Sequence, residues 1–517
     1  MSNVLIPLFE SLANPWVIFG FTAQFIFFLR FVVQLLASEK NKRTTIPVSF
    51  WYLSILGALM ILIYAIYKQD IVFIVGQGLS LLIYLRNLFI YYKAPNAALL
   101  EESAIVPPTK SLWPERSFLL ATLVFLGIAG TVLYLSVTKE RVYQPPLYSA
   151  IDALEAMWTE YKVVYIEPTS GRTLDKEEGN ITTSEGQSYS MLRAVFMDDI
   201  ETFEFTWDWT KDNLLRDDFL LSWKFGQLPD GSYGVLNNIG GENTASDSDI
   251  DIALALFLGY GRWGNETYLN EGRAIINSVW DNEVVEIDGV PYLMANNREK
   301  DSTDPWLIIN PSYLAPYAFK VFAQIDTTHN WDGLVDSSYE IYERSARLAL
   351  DKSHSVWLTP NWIEVNRDTG EIRAAVQPNL NTNFGYDALR TPWRIALDYK
   401  WFKDPRALTA LRDFWYLERL WLENGYLPSV VSHDGVIIEA EEKMEMYAGT
   451  LPYFAIMHPE TAEAIYNTKI INQYDRNKFL WVTDPGYYGS NWGWFGIAFY
   501  NNRLPNYTER FLTDTTI

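Results

Sequence analysis

The hydrophobic and polar positions divide this chain into two parts. Residues 1–143 hold four long apolar runs, which are Pro15–Ala37, Pro47–Tyr67, Ile71–Tyr92 and Ser117–Val137. Each run is close to the roughly 20 residues with which an α-helix crosses the hydrocarbon core of a bilayer. Helices buried in a soluble protein would have polar faces, and these runs lack them. The pattern predicts about four membrane-spanning helices in this part of the chain.

After residue 144, apolar runs of helical length alternate with polar loops, which predicts a helical domain. Three of the runs begin at Met191, Ile252 and Trp393, and a carboxylate precedes each of them, namely Glu185, Asp247 and Asp387. About 60 and 140 residues separate the three acids, so only a folded domain can bring them together. Helix starts that share one face of a helical barrel would line a cleft with these acids.

Composition and charge narrow the classes of ligand. The 517-residue chain has a net charge of −22, and its first 143 residues hold 11 Lys and Arg against 7 Asp and Glu. The rest of the chain therefore carries −26, which argues against nucleic acid or an anionic polymer as ligand and suits a neutral or cationic polymer. The chain has no cysteine, so it has neither disulfides nor thiolate chemistry.

The acidic segments have the chemistry of a glycosidase. Two carboxyl groups beside a sugar–sugar bond can hydrolyse it, because one protonates the leaving oxygen and the other activates water or attacks. Five segments resemble those of glycoside hydrolase family 8: Ser184–Tyr189, Ala245–Asp251, Asn310–Pro316, Tyr386–Pro392 and Tyr487–Gly496. The resemblance covers about residues 145–510, with the motifs in the family order.

This resemblance implies an all-α fold, with a transmembrane helical module followed by an (α/α)6 barrel. The signature segment departs from the family at Ser248, Phe257 and Gly259, which are small changes on the helix and leave the acids intact. The family hydrolyses β-linked polysaccharides with inversion, so no cofactor and no metal ion are expected.

The resemblance also implies roles for residues of the cleft. Glu185 is expected to be the general acid and Asp387 the general base, while Asp247 holds the sugar next to the cleaved bond. The expected substrate-binding residues are Tyr386, Arg390, Trp223, Tyr313 and Tyr488. The alternative for each acid is an ordinary helix start, where a carboxylate favours the helix dipole. A general acid needs a raised pKa, so burial or the neighbouring Asp247 must overcome that dipole at Glu185.

Metal binding is not predicted. Asp247, Asp249 and Asp251 are spaced like the first ligands of a calcium loop, but that loop would need Gly at Ile252 and Glu at Leu258. The four histidines are widely scattered along the chain, which disfavours a zinc site.

A second resemblance lies in the first three apolar runs. Gly20–Gln24, Leu29–Phe31, Ile46–Tyr52, Gly76–Gly78 and Tyr84–Leu88 resemble the lipid A biosynthesis N-terminal domain, a three-helix membrane domain related to half-SWEET sugar transporters. These runs contain the polar residues Gln24, Arg30, Gln34, Gln77, Arg86 and Asn87. Such residues are costly in lipid, so they bind either a ligand or a neighbouring helix. The expected domains are residues 1–95 for this module, 96–143 for a linker and the fourth span, and 144–517 for the barrel.

Basic residues predict the orientation in the membrane. The first loop carries Lys40, Lys42 and Arg43, and the third carries Lys93, Lys110 and Arg116. The positive-inside rule places both loops in the cytoplasm. Four spans then return the chain to the outer side. The predicted location is the bacterial cytoplasmic membrane, with several spans and a periplasmic or extracellular catalytic domain.

The two resemblances together predict a membrane-anchored, inverting endo-β-1,4-glucanase that cuts cellulose-like or exopolysaccharide glucan outside the cytoplasmic membrane. The expected partners are the polysaccharide, the lipid bilayer, and polysaccharide synthesis or export machinery or a lipid-linked sugar, with no nucleic acid. Two alternatives stay open. One is the same chemistry on chitosan, xylan or mixed-linkage glucan, and the other is a non-catalytic membrane protein that binds or moves a lipid-linked sugar.

Overall fold

The structure is a computed structural model that describes residues 15–68, 71–93, 150–475 and 480–509. The chain divides into two compact units, Met1–Gln144 and Pro145–Ile517. In the first unit, three helices are described: α1 (Pro15–Asn41), α2 (Val48–Lys68) and α3 (Ile71–Lys93). All three are long and apolar enough to cross a membrane. The predicted fourth span, Ser117–Val137, lies outside the described residues.

Helix α2 packs against both α1 and α3, and two contacts show that it runs antiparallel to each of them. Near the start of α2, the Tyr52 hydroxyl lies 2.5 Å from the Tyr92 hydroxyl near the end of α3. The ring of Phe50, also near the start of α2, packs edge-on against Phe31 in the second half of α1. The end of α1, the start of α2 and the end of α3 therefore lie together. We call this the basic end, since it carries Lys40, Lys42, Arg43 and Lys93.

The second unit is a barrel of two concentric rings of helices. The inner ring is formed by α5 (Ser184–Met197), α7 (Ser246–Trp263), α9 (Pro316–Ile325), α11 (Arg390–Phe402), α14 (Met444–Met457) and α16 (Gly486–Tyr500). The outer helices are α4 (Ala150–Tyr165), α6 (Ile200–Asn213), α8 (Glu266–Glu283), α10 (Trp331–Arg347), α12 (Pro405–Arg412), α13 (Trp415–Asn424) and α15 (Pro459–Ile465). Each inner helix packs against the next one along the chain.

Burial on all sides explains why the inner helices α7, α14 and α16 are largely apolar around their whole circumference. In α7, for example, every residue from 250 to 258 is buried. The ring closes where α5 meets α16, because the Tyr189 and Phe495 rings pack 5.5 Å apart and Arg193 donates to Asn491 Oδ1 at 3.2 Å. The predicted all-α barrel is thus confirmed.

Short antiparallel strands stiffen the loops that lead into the inner helices. They are β1 (Thr182–Thr183), β2 (Lys224–Gln227), β3 (Tyr233–Val235), β4 (Val284–Ile287), β5 (Val290–Leu293), β6 (Trp306–Ile309), β7 (Ile363–Asn366), β8 (Ile372–Ala374), β9 (Val430–Val431), β10 (Ile437–Glu439), β11 (Tyr474–Asp475) and β12 (Leu480–Trp481). Their sheet orders are β1-β2-β3, β4-β5, β6-β7-β8, β9-β10 and β11-β12. In the first sheet, Thr182 pairs with Phe225. The loops so held converge at the N-terminal ends of the inner helices.

The helices that carry the predicted acids begin earlier than their apolar runs. Helix α5 begins at Ser184, α7 at Ser246 and α11 at Arg390. Glu185 and Asp247 therefore lie in the first turn of their helices, and Asp387 lies in the turn just before α11.

Candidate active site

Glu185 is held at the start of α5 by a side-chain cap. The Thr183 hydroxyl accepts a hydrogen bond from the Gly186 N–H at 3.0 Å and so caps the helix. A Cβ at Gly186 would come within 2.1 Å of the Tyr487 hydroxyl, so a larger residue next to the acid would have to displace Tyr487. The hydroxyl groups of Ser184 and Ser248, 2.6 Å apart, tie this turn to the start of α7.

Asp247 is buried in the first turn of α7, and it does not cap that helix. Its Oδ1 accepts from the Ser248 N–H at 2.8 Å, while Ala245 occupies the capping position. Neighbouring serines fix the turn instead, since Ser246 Oγ donates to the Met294 carbonyl and Ser248 Oγ to the Ala245 carbonyl, both at 2.7 Å. The turn thus fixes the direction of the Asp247 side chain.

Asp387 has a donor on each of its carboxylate oxygens. Arg390 Nη2 donates to Oδ1 at 2.9 Å, and the Trp362 indole N–H donates to Oδ2 at 3.1 Å. The side chain is one-third exposed, so the carboxylate is oriented by protein donors and still accessible to water.

Arg390 joins the three predicted acids. Its Nη1 donates to Asp247 Oδ2 at 2.9 Å and also to Glu185 Oε2, while its Nη2 binds Asp387. Its Nε donates to Ser312 Oγ at 3.1 Å. The guanidinium is buried, so it binds the acids at low dielectric, where charge-assisted hydrogen bonds are strong. We call Arg390 with Glu185, Asp247 and Asp387 the Arg390 cluster.

The electrostatics of the cluster favour a protonated Glu185. Burial raises the pKa of Glu185 to about 8, the Arg390 charge opposes this rise, and Asp247 and Asp387 add to it. Burial also raises the pKa of Asp247, again against the Arg390 charge. Glu185 therefore holds a proton at neutral pH and can donate it, as a general acid must.

The raised pKa of Glu185 predicts the alkaline side of the pH profile. Because only the protonated acid can donate, kcat/KM should hold up to about pH 8 and fall about tenfold per pH unit above it. Asp247→Asn removes a negative charge that raises the pKa of Glu185, so the alkaline limb should move to lower pH. Measurement of kcat/KM from neutral to alkaline pH in both proteins checks this. An alkaline limb that stays in place in the variant would contradict it.

Three of the predicted aromatic residues lie beside the cluster. The Tyr313 ring lies 5.1 Å from the Arg390 guanidinium, and it packs edge-on against Trp362. Tyr488 donates to the Tyr386 carbonyl at 2.8 Å, next to Asp387. Tyr386 itself is partly exposed and donates to Glu439 at 3.0 Å. These rings can provide apolar faces for a sugar.

Trp223 lies beside the segment of Glu185 and is the predicted aromatic residue with the least direct link to the Arg390 cluster. Its carbonyl accepts the Ser184 N–H at 3.0 Å, which places its backbone beside the start of α5. Its indole N–H donates to the Gly240 carbonyl at 2.9 Å, and the Lys224 ammonium lies 5.0 Å from its ring. The structure thus places Trp223 next to the segment of Glu185, outside the contacts of Arg390.

Sequence reasoning missed Trp362, Ser312 and Glu439 as neighbours of the site. Trp362 directly precedes β7, and Glu439 ends β10, so both reach the cleft from hairpins that lack a motif. Of these three residues, only Ser312 could have been found from the sequence, because it lies inside the family-like segment Asn310–Pro316.

A second ion pair continues the cluster into the barrel core. Arg394 donates to both oxygens of Asp251, at 2.9 and 2.8 Å, and to the Tyr317 hydroxyl at 2.8 Å. Asp247 and Asp251 are one turn apart on α7, as Arg390 and Arg394 are on α11. Two matched pairs therefore fix these helices against each other.

A helical barrel that brings a protonated acid and a second, accessible carboxylate together beside several aromatic rings is the framework of a glycoside hydrolase. The family model for glycosyl hydrolases family 8 matches residues 136–470, so the chain belongs to that family. The model for the lipid A biosynthesis N-terminal domain matches residues 19–89. Both predicted resemblances are confirmed.

Relatives and solved structures agree with this assignment. Endoglucanase A of Acetivibrio thermocellus is 29% identical over 49% of this chain and 50% of its own length, so the chain spans about half of that relative. An endoglucanase of Escherichia coli K12 is 25% identical over 65% of this chain and 86% of its own. The fold is similar to that of an endo-1,4-D-glucanase from Vibrio fischeri, with a TM-score of 0.57, 24% identity, and coverage of 66% of this chain and 94% of the other.

Proposed function

We propose that the protein is a membrane-anchored, inverting endo-β-1,4-glucanase that acts on cellulose-like or exopolysaccharide glucan. The observation that carries the proposal is the Arg390 cluster, in which one buried guanidinium holds a protonated Glu185 beside an accessible Asp387. A general acid and a general base on one rigid support are what glycoside hydrolysis with inversion needs.

The proposed step balances as a single displacement. Glu185 gives its proton to the glycosidic oxygen as the C1–O bond breaks, and a water oxygen bonds to C1 from the opposite face. Asp387 takes the proton that this water loses, so no covalent intermediate forms. Asp247 accepts from Arg390 and faces the same site, so it is placed to bind the sugar next to the cleaved bond.

The substrate proposal is supported by the relatives, which carry the name endoglucanase. The charge of −26 on residues 144–517 favours a neutral or cationic polymer over an anionic one. Chitosan, xylan and mixed-linkage glucan remain alternatives, because the walls of the sugar-binding subsites decide among them. The non-catalytic alternative is disfavoured, since Glu185, Asp247 and Asp387 are all present and all accept hydrogen bonds from Arg390.

A polysaccharide panel tests the proposed function. We expect the full-length protein to release reducing ends most rapidly from a soluble β-1,4-glucan, with a rapid fall in viscosity that marks cuts within the chain. Chitosan, xylan and mixed-linkage glucan, at equal mass, are the comparison substrates. A higher kcat/KM on one of these three would make that polymer the proposed substrate. If the protein hydrolyses none of the polysaccharides, the proposal that it is a glycoside hydrolase of this kind is refuted.

We further propose domains of 1–95, 96–143 and 144–517, with several spans in the bacterial cytoplasmic membrane and the barrel outside it. The support is the basic end of the three-helix unit, which the positive-inside rule assigns to the cytoplasm. An anchored enzyme suits the trimming of a polymer during its synthesis or export, so that machinery is the proposed partner.

A reporter fused after Ile517 tests this orientation. An alkaline phosphatase fusion should be active, because that enzyme needs an oxidising compartment outside the cytoplasm. A fusion of the same reporter after Arg43, in the first loop, should be inactive and is the matched control. The reverse pattern of activity would refute the orientation.

A further inference from the structure

The three-helix unit holds a charged side chain deep within its apolar helices. Arg30 of α1 donates from Nη1 to the Tyr84 hydroxyl of α3 at 2.7 Å and lies 3.5 Å from Ser54 Oγ of α2. Its guanidinium lies 3.7 Å from the Phe27 ring and 4.5 Å from the Phe31 ring. All three helices thus contribute to one polar cluster, which we call the Arg30 cluster.

Within the described residues, no carboxylate pairs with Arg30, and its buried Nε has no hydrogen-bond partner. Arginine keeps its proton in proteins, so the positive charge cannot be removed by titration. A charge inside a span is costly unless a partner balances it, and such residues usually mark a ligand or ion site. The aromatic rings and the Tyr84 hydroxyl lower this cost without supplying the missing negative charge.

A polar stripe leads from the Arg30 cluster to the basic end. Arg30, Gln34 and Ser38 follow one another at four-residue intervals on α1, so they share one face of the helix. Ser38 at the end of the stripe accepts from the Thr45 N–H at 3.0 Å. At about 1.5 Å per residue, Arg30 lies about 16 Å from the end of α1, which is close to half the thickness of the hydrocarbon core.

We propose that the Arg30 cluster binds the phosphate ester of a membrane lipid that enters from the leaflet at the basic end. The planar guanidinium fork matches phosphate geometry, and its free donors include Nε. The basic residues at that end attract anionic lipids. Phe31, whose ring lies 4.5 Å from the guanidinium, and Leu35, one turn nearer the basic end, form an exposed apolar face along which a lipid chain can lie. A free phosphate ion would use the same donors but would gain nothing from this apolar face.

Native mass spectrometry of the full-length protein tests the proposal. Phosphatidic acid and diacylglycerol with identical chains are the probes, because they differ only in the phosphate. We expect the wild type to retain phosphatidic acid and not diacylglycerol, and millimolar inorganic phosphate to leave the lipid bound. Arg30→Gln should lower retention at least about tenfold, the usual scale for loss of a charge-assisted hydrogen bond. Hydrolysis of glucan by the same proteins should be unchanged.

Lys93→Gln is the matched control, since it removes one positive charge at the basic end and leaves the Arg30 cluster intact. It should lower the retention of phosphatidic acid by no more than about fivefold, the scale expected for one surface charge, and so by less than Arg30→Gln. Arg30→Lys keeps the charge but loses the fork, so it should lower retention at least about threefold, and it serves if Arg30→Gln does not fold. Equal retention by the wild type and both Arg30 variants, an equal loss in Lys93→Gln, or displacement by inorganic phosphate would each overturn the proposal.

Discussion

Replacing Glu185 by glutamine should slow hydrolysis of a β-1,4-glucan by at least about 10²–10⁴-fold, the usual contribution of a general acid. The amide has nearly the shape of the carboxyl group and can still accept from Arg390, but it has no acidic proton to transfer to the leaving oxygen. The loss should therefore appear in kcat, with little change in the affinity for the polymer. Steady-state kinetics on a soluble glucan, with a separate binding measurement, check this.

A substrate whose leaving group needs no protonation distinguishes two causes of a slow Glu185→Gln variant, namely the missing proton donor and a disturbed structure. An aryl β-cellobioside with a dinitrophenolate leaving group needs no protonation, so Glu185→Gln should hydrolyse it at close to the wild-type rate. If the variant is equally slow on both substrates, Glu185 has another role or the substitution has disturbed the Arg390 cluster.

Replacing Asp387 by asparagine should also slow hydrolysis by about 10²–10⁴-fold, because the amide cannot take a proton from water. A good leaving group should not restore the rate of Asp387→Asn, because attack by water is impaired whichever group leaves. The two variants thus separate acid from base within one assay. Trp362→Phe is the milder comparison: it removes one of the two donors that orient Asp387, so its loss of kcat should be much smaller.

Stereochemistry provides the second measurement on Asp387. If it activates a water, the fresh product of a β-linked chain is the α-anomer, which proton NMR of the first turnovers detects directly. The β-anomer as first product would make Asp387 a nucleophile or a bystander. Near-normal turnover by Asp387→Asn would assign the base to another carboxylate.

The sequence predicted those features of the fold and site that local patterns encode. Apolar runs gave the spans, and the acids ahead of helical runs gave the positions of Glu185 and Asp247. The starts of the helices were less well defined, because α5 begins at Ser184 with polar residues that apolar periodicity does not register. The Thr183 hydroxyl caps α5 and sets this start, ahead of the apolar run.

Pairing across the barrel could not be predicted, because it depends on contacts between distant residues. Arg390 was expected to bind substrate, and nothing in its neighbourhood shows that it meets Glu185, 205 positions earlier. Trp362 likewise reaches Asp387 only because the β6-β7-β8 sheet holds the start of β7 beside the cleft. The raised pKa of Glu185 follows from the same convergence, since burial is a property of the assembled barrel.

The attachment of both reacting carboxyl groups to one guanidinium makes the proposed displacement electrically balanced. Glu185 is bound to Nη1 and Asp387 to Nη2 of Arg390. As Glu185 loses its proton to the leaving oxygen, Asp387 gains one from water, so the total charge around Arg390 stays the same. The negative charge moves across a fixed cation, so the site needs no counter-ion to keep its net charge. The chemical step should therefore depend little on ionic strength, because such preorganised groups need no rearrangement of solvent.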